Sequence, residues 1–215
     1  MKRRSLGRMA AAVLAAGLMA GAWPLAQASD EAPDAMIKRL SDEVLTTIKS
    51  DKQVRSGEIN HIIAVVDAKI MPNVNFQRMT ASAVGPAWRE ATAEQRKRLQ
   101  EEFKLLLVRT YSGALSQVSE ETISMKPMRG SPTDTDVVVR SEIRGRGDPI
   151  QLDYRLEKTA SGWKIYNLNV LGVWLVENYR SQFTQEVNAK GIDGLIASIA
   201  ERNKTNAAGS AGKKS

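Results

Sequence analysis

Residues that could perform acid–base or metal chemistry are few in this sequence, and they are not grouped. His61 is the only histidine and the chain has no cysteine, so a zinc site of the usual kind lacks ligands. His61 lies among isoleucines on a predicted helix, where we expect a structural role. Glu101 and Glu102, like Glu120 and Glu121, are adjacent in sequence, and adjacent residues point apart on a helix. Neither pair forms an acid–base dyad.

Sequence motifs of nucleophilic catalysis and of nucleotide binding are also absent. The chain contains no Gly-x-Ser-x-Gly, no phosphate-binding loop and no dinucleotide fingerprint. The glycines of Gly145-Arg146-Gly147 are typical of a hairpin turn. A hydrolase that uses two carboxylates distant in sequence stays open as an alternative, because such residues can meet in space.

The most informative segment is Asn167–Phe183, which is apolar rather than catalytic. It reads as the end of a strand, a turn at Gly172 and an amphipathic helix that opens with apolar residues. This pattern favours a protein that holds something apolar. The residues alone also allow an interaction module, or adaptor, whose interior is simply filled.

The N-terminal residues have the pattern of a secretory signal peptide. A basic start at Lys2 and Arg3 precedes the apolar run Met9–Ala22, and Ala26-Gln27-Ala28 supplies the small residues that a signal peptidase requires. The apolar run is shorter than a membrane-spanning helix, which needs about 20 residues. We expect residues 1–28 to be removed, leaving a soluble periplasmic protein.

Charge and cysteine content limit the partners of the mature protein. The chain has 31 Lys and Arg against 24 Asp and Glu, a net charge of +7. Four of the basic residues and none of the acidic ones lie in residues 1–28, so the remaining chain carries only +3. That balance does not indicate nucleic-acid binding. Without cysteine, the domain must be stabilised by packing alone.

Helical periodicity dominates the first half of the mature chain. Apolar residues recur at helical spacing in four segments, and Thr92 with Gln95 forms a capping box before the longest. The predicted helices are Asp34–Ser50, Glu58–Met71, Phe76–Val84 and Thr92–Val118.

Period-two alternation then replaces the helical pattern and predicts an antiparallel meander with one covered face. Its predicted strands are Thr122–Lys126, Thr135–Arg144, Ile150–Glu157 and Trp163–Val170. In the last strand Trp163 and Ile165 point to one face. Tyr166, Leu168 and Val170 point to the other, so either both faces are covered or the alternation reverses at a bulge.

Two more helices and a tail complete the predicted domain. One helix runs from the turn to about Lys190 and the next over Ile192–Arg202, while the composition of residues 204–215 predicts a disordered tail. The domain is therefore predicted over residues 29–203, as an α+β fold with helices packed on the sheet.

The turn and helix at Gly172–Phe183 resemble the hallmark segment of the toluene-tolerance/MlaC family of periplasmic phospholipid carriers. Other segments resemble the family in the same order: Phe76–Thr80, Val84–Arg89, Gln95–Phe103, Leu106–Tyr111, Ile150–Leu156 and Trp163–Tyr166. Two positions depart from the family pattern. Asn167 stands where Asp is usual, and Trp174 stands where a small polar residue is common.

The resemblance implies helices on a curved four-stranded antiparallel sheet that encloses an apolar lipid cavity. It implies a monomeric carrier, not an enzyme, with phospholipid as cargo and no cofactor. The carrier would shuttle lipid between outer- and inner-membrane Mla complexes and maintain outer-membrane lipid asymmetry. Its implied partners are an outer-membrane lipoprotein complex and an inner-membrane ABC transporter with an MCE-domain subunit.

The apolar faces of the predicted helices and strands supply a candidate lipid pocket. We predict that its lining consists of Phe76, Met79, Trp88, Phe103, Leu107, Tyr111, Val139, Tyr154, Ile165, Val173, Trp174 and Tyr179. Arg180 is a candidate for the pocket mouth, where it would meet a phosphate, although a surface helix charge explains it equally well.

Overall fold

The computed structural model describes residues 31–115, 118, 120–128, 131 and 133–211. The predicted signal peptide, residues 1–28, lies outside the described residues. The helices are α1 Pro33–Ser50, α2 Lys52–Arg55, α3 Ile59–Val65, α4 Phe76–Val84, α5 Ala93–Leu115 and α6 Leu175–Ala211. The strands are β1 Thr122–Met125, β2 Asp136–Arg144, β3 Ile150–Thr159, β4 Gly162–Val170 and β5 Val173–Trp174. No helix within this described part has both the length and the hydropathy to cross a bilayer.

The sheet is an antiparallel meander of five strands in the order β1-β2-β3-β4-β5, so the predicted number of four is wrong. The additional strand is formed by Val173 and Trp174, which pair with Val170 and Asn169. Leu171 and Gly172 connect β4 to β5 with positive φ angles of 51° and 88°. A two-residue turn with two positive φ angles matches the right-handed twist of a hairpin. A two-residue strand is too short to show alternation, which explains why the sequence pattern missed it.

The change of alternation in β4 is caused by a bulge, one of the two predicted explanations. Leu156 pairs with Ile165, whereas Arg155 pairs with Asn167, so Tyr166 is left without an opposite residue. Because one extra residue reverses the alternation, Ile165 and Leu168 both pack on the same covered face of the sheet.

The helical segment before α4 ends less regularly than predicted. The Glu58–Met71 helix is α-helical only over α3, and a wider π-helical turn at 66–70 and a 3₁₀ turn at 71–73 follow it. Val74 then forms an isolated parallel bridge with Ile165 of β4. The capping box of α5 is confirmed, since the Thr92 N–H donates to Gln95 Oε1 and the Gln95 N–H to Thr92 Oγ1.

The last helix, α6, is bent at Gly191, where φ is 70°, at the predicted break between two helices. It continues to Ala211, so residues 204–211 are helical and not the disordered tail that we predicted. The composition-based prediction ignored that extending an existing helix is far easier than nucleating one. Asn203 anchors this region, because its Nδ2 donates to the carbonyl and the carboxylate of Glu102. Residues 212–215 lie outside the described residues.

The apolar core consists of two main clusters. One lies between α1 and one face of the sheet, and we call it the sheet cluster: Met36, Ile37, Leu40, Val137, Val139, Tyr154, Leu156 and Ile165. The other lies among α4, α5 and α6, and we call it the helical cluster: Phe76, Met79, Ala83, Val84, Leu99, Phe103, Leu106, Val176, Tyr179, Phe183, Leu195, Ile196 and Ile199. A smaller third cluster joins α1, α2, α3 and α5.

Candidate functional site

The sole histidine, His61, contacts the aspartate that caps α2. His61 Nε2 lies 2.7 Å from Asp51 Oδ2, and Asp51 Oδ1 accepts the N–H groups of Gln53 and Val54 at the start of α2. The bond to His61 and these backbone bonds lower the pKa of Asp51. Across the described residues, no group of three or more His, Asp or Glu is arranged to hold a metal ion.

Six of the twelve predicted lipid-pocket residues lie in or against the helical cluster: Phe76, Met79, Trp88, Phe103, Leu107 and Tyr179. Phe103 of α5 is fully buried at its centre. Its ring centroid lies 5.7 Å from that of Phe76, 5.0 Å from that of Tyr179 and 5.2 Å from that of Phe183. Aromatic pairs at these separations attract beyond their buried area, so the rings tie α4, α5 and α6 together.

Three more predicted residues, Val139, Tyr154 and Ile165, lie in the sheet cluster. Val139 and Tyr154 are cross-strand partners on β2 and β3, and they face α1. Burial raises the pKa of Tyr154, whose hydroxyl also bonds to Ser141 and Ser41. A buried tyrosine with a bonded hydroxyl is a stable component of a packed core.

The remaining three predicted residues do not join these clusters. Tyr111 is 37% exposed and Val173 is 52% exposed. Trp174 lies beside β4, where the Arg155 guanidinium carbon is 4.1 Å from its ring centroid. This cation–π contact gives the unusual Trp174 a partner on the polar face of the sheet.

Asn167, the other departure from the family pattern, connects the sheet to the start of α6. It is fully buried, and its Oδ1 accepts the N–H groups of Leu168 and Val176. Its Nδ2 donates to Glu177 Oε2 at 2.8 Å, while Arg155 bonds the other oxygen of Glu177 at 2.6 Å. Partial burial opposes ionisation of Glu177, but the bonds from Asn167 and Arg155 lower its pKa.

Val74 links the two main clusters, and the sequence pattern did not identify it. Among the described apolar residues it is the only one that packs against both the helical and the sheet cluster. Its backbone is fixed there because the N–H of Asn75 donates to the carbonyl of Ile165 at 2.8 Å. We call this line of contact the seam. The only sequence signal was an apolar residue just after Pro72, outside any periodic run.

The enclosed apolar cavity that we expected is not shown. Two depressions in the surface of the described residues are both open to solvent. The larger, of about 420 Å³, opens over the seam, and we call it the seam depression. Its lining consists of Pro72, Val74, Asn75, Phe76, Gln77, Gln100, Thr159, Ser161 and Lys164. Arg180 is exposed and lies near Gly85 at the end of α4, so it does not line this depression.

A polar network closes the seam on the side of β3. Glu157 Oε1 accepts from Asn75 Nδ2 and its Oε2 from Arg78 Nη1, both at 2.6 Å. Arg78 also stacks 3.5 Å from the centroid of the Tyr166 ring. The hydroxyl of Tyr166 donates to Asp136 at 2.7 Å, and burial together with Asp136 raises the pKa of Tyr166 to about 12. The N-terminal end of α4, with its capping residue Asn75, is therefore held to the sheet by charged and aromatic contacts.

Comparisons with known proteins give this arrangement a family. A family model described as "MlaC protein" matches residues 38–201. The toluene tolerance protein ttg2D of Pseudomonas putida is 25% identical over 198 residues, which are 88% of this chain and 92% of that protein. The intermembrane phospholipid transport system binding protein MlaC of Haemophilus influenzae is 23% identical over 175 residues, 80% of this chain and 82% of that protein.

A solved structure has the same fold. It is the phospholipid-binding protein from Ralstonia solanacearum in complex with a phospholipid, with a TM-score of 0.79 and 44% identity. The match covers 81% of this chain and 98% of that chain. On the sequence match over most of its length, this chain belongs to the MlaC family.

Proposed function

We propose that this protein is a phospholipid carrier that holds acyl chains between its helical and sheet clusters. The observation that carries the proposal is the similarity to the Ralstonia protein, whose structure contains a phospholipid; the match covers 98% of that chain and 81% of this one. Seven of the twelve predicted pocket residues lie in one of the two clusters, and two more pack against the helical cluster.

Acyl chains need such a carrier because of the cost of exposing them to water. A diacyl phospholipid has roughly 30 methylenes at about 0.8 kcal/mol each, so its bare passage costs on the order of 20 kcal/mol. A carrier need only surround the chains with groups about as apolar as a bilayer interior. Transfer at either membrane is then nearly balanced in free energy, and recognition through the chains gives weak headgroup selectivity.

The loading step follows from how the clusters meet. In the structure both clusters are packed. They meet at Val74 and at the hydrogen bond from the Asn75 N–H to the Ile165 carbonyl. We propose that the chains enter along the seam and separate the helical cluster from the sheet cluster. The apolar side chains that now contact one another would then line the pocket.

The proposal extends to the setting of the carrier. After removal of residues 1–28 the protein would act in the periplasm, without a catalytic step. It would exchange lipid with an outer-membrane lipoprotein complex and with an inner-membrane ABC transporter carrying an MCE-domain subunit, and so maintain outer-membrane lipid asymmetry. The Haemophilus relative, named as the binding protein of an intermembrane phospholipid transport system, supports this setting.

The test is native mass spectrometry of mature protein purified from cells without detergent, followed by lipid extraction. We expect a mass excess of one or two phospholipids. Val74→Trp should fill the seam and lose most of this lipid. Val187→Trp is the matched control, because Val187 is also half-buried against the helical cluster but is not packed on the sheet cluster.

Two results would contradict the proposal. Wild-type protein that is free of lipid both in the spectrum and in the extract would favour the adaptor with a filled interior. Equal lipid content in folded Val74→Trp and Val187→Trp proteins would show that the chains do not pass the seam. Circular dichroism and urea unfolding confirm that each variant is folded.

A further inference from the structure

The seam depression combines an apolar floor with a polar rim. Val74 and Phe76 line it, and both also pack into the helical cluster. Five residues supply amide or hydroxyl groups to the rim: Asn75, Gln77, Gln100, Thr159 and Ser161. A ligand with an apolar part and a polar part therefore meets matching surfaces here.

Lys164 is the only charged residue in the lining. Its ammonium group donates to the carbonyl of Pro72 at 2.6 Å, which leaves two of its three protons for other acceptors. Its cross-strand neighbour Glu157 is already bonded by Asn75 and Arg78. Within the described part of the chain, Lys164 has no carboxylate at ion-pair distance, so its positive charge faces the depression without neutralisation.

The second depression, of about 380 Å³, has the opposite character. Its lining includes Glu186 and Glu201 beside one cation, Arg202. Glu186 is held ionised, since bonds from Ser198 and Lys190 lower its pKa. An anionic group is therefore disfavoured there and favoured at the seam depression, although the two are similar in size.

We propose that the seam depression holds the phosphate-bearing headgroup of the bound phospholipid, with Lys164 as its cationic contact. This inference rests on the proposed carrier function and adds the position and orientation of the cargo. The acyl chains leave the depression past Val74 and Phe76 into the seam, and the headgroup stays at the open side. A single lysine binds phosphate as a point charge without bidentate geometry, so the preference among headgroups is modest.

Phosphorus NMR with site-directed spin labels tests the position directly. The chain has no cysteine, so each introduced cysteine is the sole labelling site. A nitroxide on Ser161→Cys lies at the rim of the seam depression, and one on Thr205→Cys lies at the second depression; both residues are exposed. We expect the ³¹P resonance of bound phospholipid to broaden more strongly with the Ser161 label than with the Thr205 label.

The outcomes separate this inference from the carrier function. Equal or stronger broadening by the Thr205 label, or broadening by neither label in lipid-loaded protein, would overturn the headgroup position and leave the carrier function intact. Protein without any lipid would overturn both.

A charge substitution tests the role of Lys164. Lys164→Gln should still be loaded with lipid, but its ratio of phosphatidylglycerol to phosphatidylethanolamine should fall roughly fivefold, as expected for one lysine beside an anionic headgroup. Lys190→Gln on α6 is the control, because Lys190 lines neither depression. An unchanged ratio in loaded Lys164→Gln protein would exclude Lys164 as the contact.

Discussion

The residues within the sheet cluster are held together by different interactions from those within the helical cluster. In the sheet cluster, Val137 faces Leu156 and Val139 faces Tyr154 across a continuous backbone ladder, so moving these residues apart also breaks hydrogen bonds. In the helical cluster, α4, α5 and α6 meet through side chains, with the aromatic rings around Phe103 at the centre. Displacing a helix as a unit keeps its own hydrogen bonds. We therefore expect the helical cluster, rather than the sheet cluster, to move when lipid enters.

The largest effect should come from truncating the centre of the helical cluster. Phe103→Ala removes a fully buried ring and should lower the free energy of unfolding by about 3–5 kcal/mol in urea denaturation. Leu156→Ala in the sheet cluster, also fully buried, is the matched variant and should cost about 2–5 kcal/mol.

Hydrogen exchange of the same two variants measures whether the helices and the strands open separately. Phe103→Ala should speed exchange of the amides in α4 and α6 more than that of the amides in β3 and β4. The reason is that the ladder does not depend on the Phe103 ring. Equal acceleration in helices and strands would mean that the two regions open as one cooperative unit.

An intermediate effect is expected where the sheet meets α6. Asn167→Ala removes the acceptor of the Val176 N–H, which is buried. An unsatisfied buried donor costs about 1–3 kcal/mol, and we expect a loss of that size in urea unfolding. Asn73→Ala, which removes an exposed side-chain bond to the carbonyl of Lys69, should stay within about 0.5 kcal/mol. Equal losses in both variants would contradict a special role of Asn167.

The smallest effect should appear as pH dependence at the same junction. The pKa of Glu177 is lower in the folded protein. Its contribution is therefore fully present above the unfolded pKa of about 4.3 and is lost as pH falls through the folded pKa. Glu177→Gln should be less stable than wild type at pH 7, and the gap in urea midpoint should narrow at pH 3. A difference in urea midpoint that widens from pH 7 to pH 3 would contradict a lowered pKa of Glu177 in the folded protein.

Much of the fold could be predicted from the sequence because its signals are local. The capping box at Thr92 predicted the start of α5, and the break at Gly191 was visible between two apolar stripes. The bulge at Tyr166 was one of two readings of a broken alternation. The sequence pattern missed β5 because a two-residue strand is too short to show alternation. It also missed the helical residues after Asn203, because their composition was considered without the preceding helix that they extend.

The candidate site was less predictable, since periodicity shows which face of an element is apolar and not which faces meet. Phe103 and Tyr154 were predicted to line one pocket, yet they lie in different clusters. Val74, which connects those clusters, lies in an irregular segment that carries no periodic signal. That the twelve residues line a lipid pocket stays a prediction until the loaded protein is measured.

The bulge in β4 has a consequence for insertions and deletions. Tyr166 is the one residue of β4 without a partner on β3, so deleting it would close the ladder and leave every other β4 side chain on its present face. Deleting its neighbour Asn167 would also close the ladder, with Tyr166 opposite Arg155, but it would remove the side chain that accepts the Val176 N–H. Natural sequences of this fold can therefore differ in length by one residue at this point while keeping the same strand order and the same buried side chains.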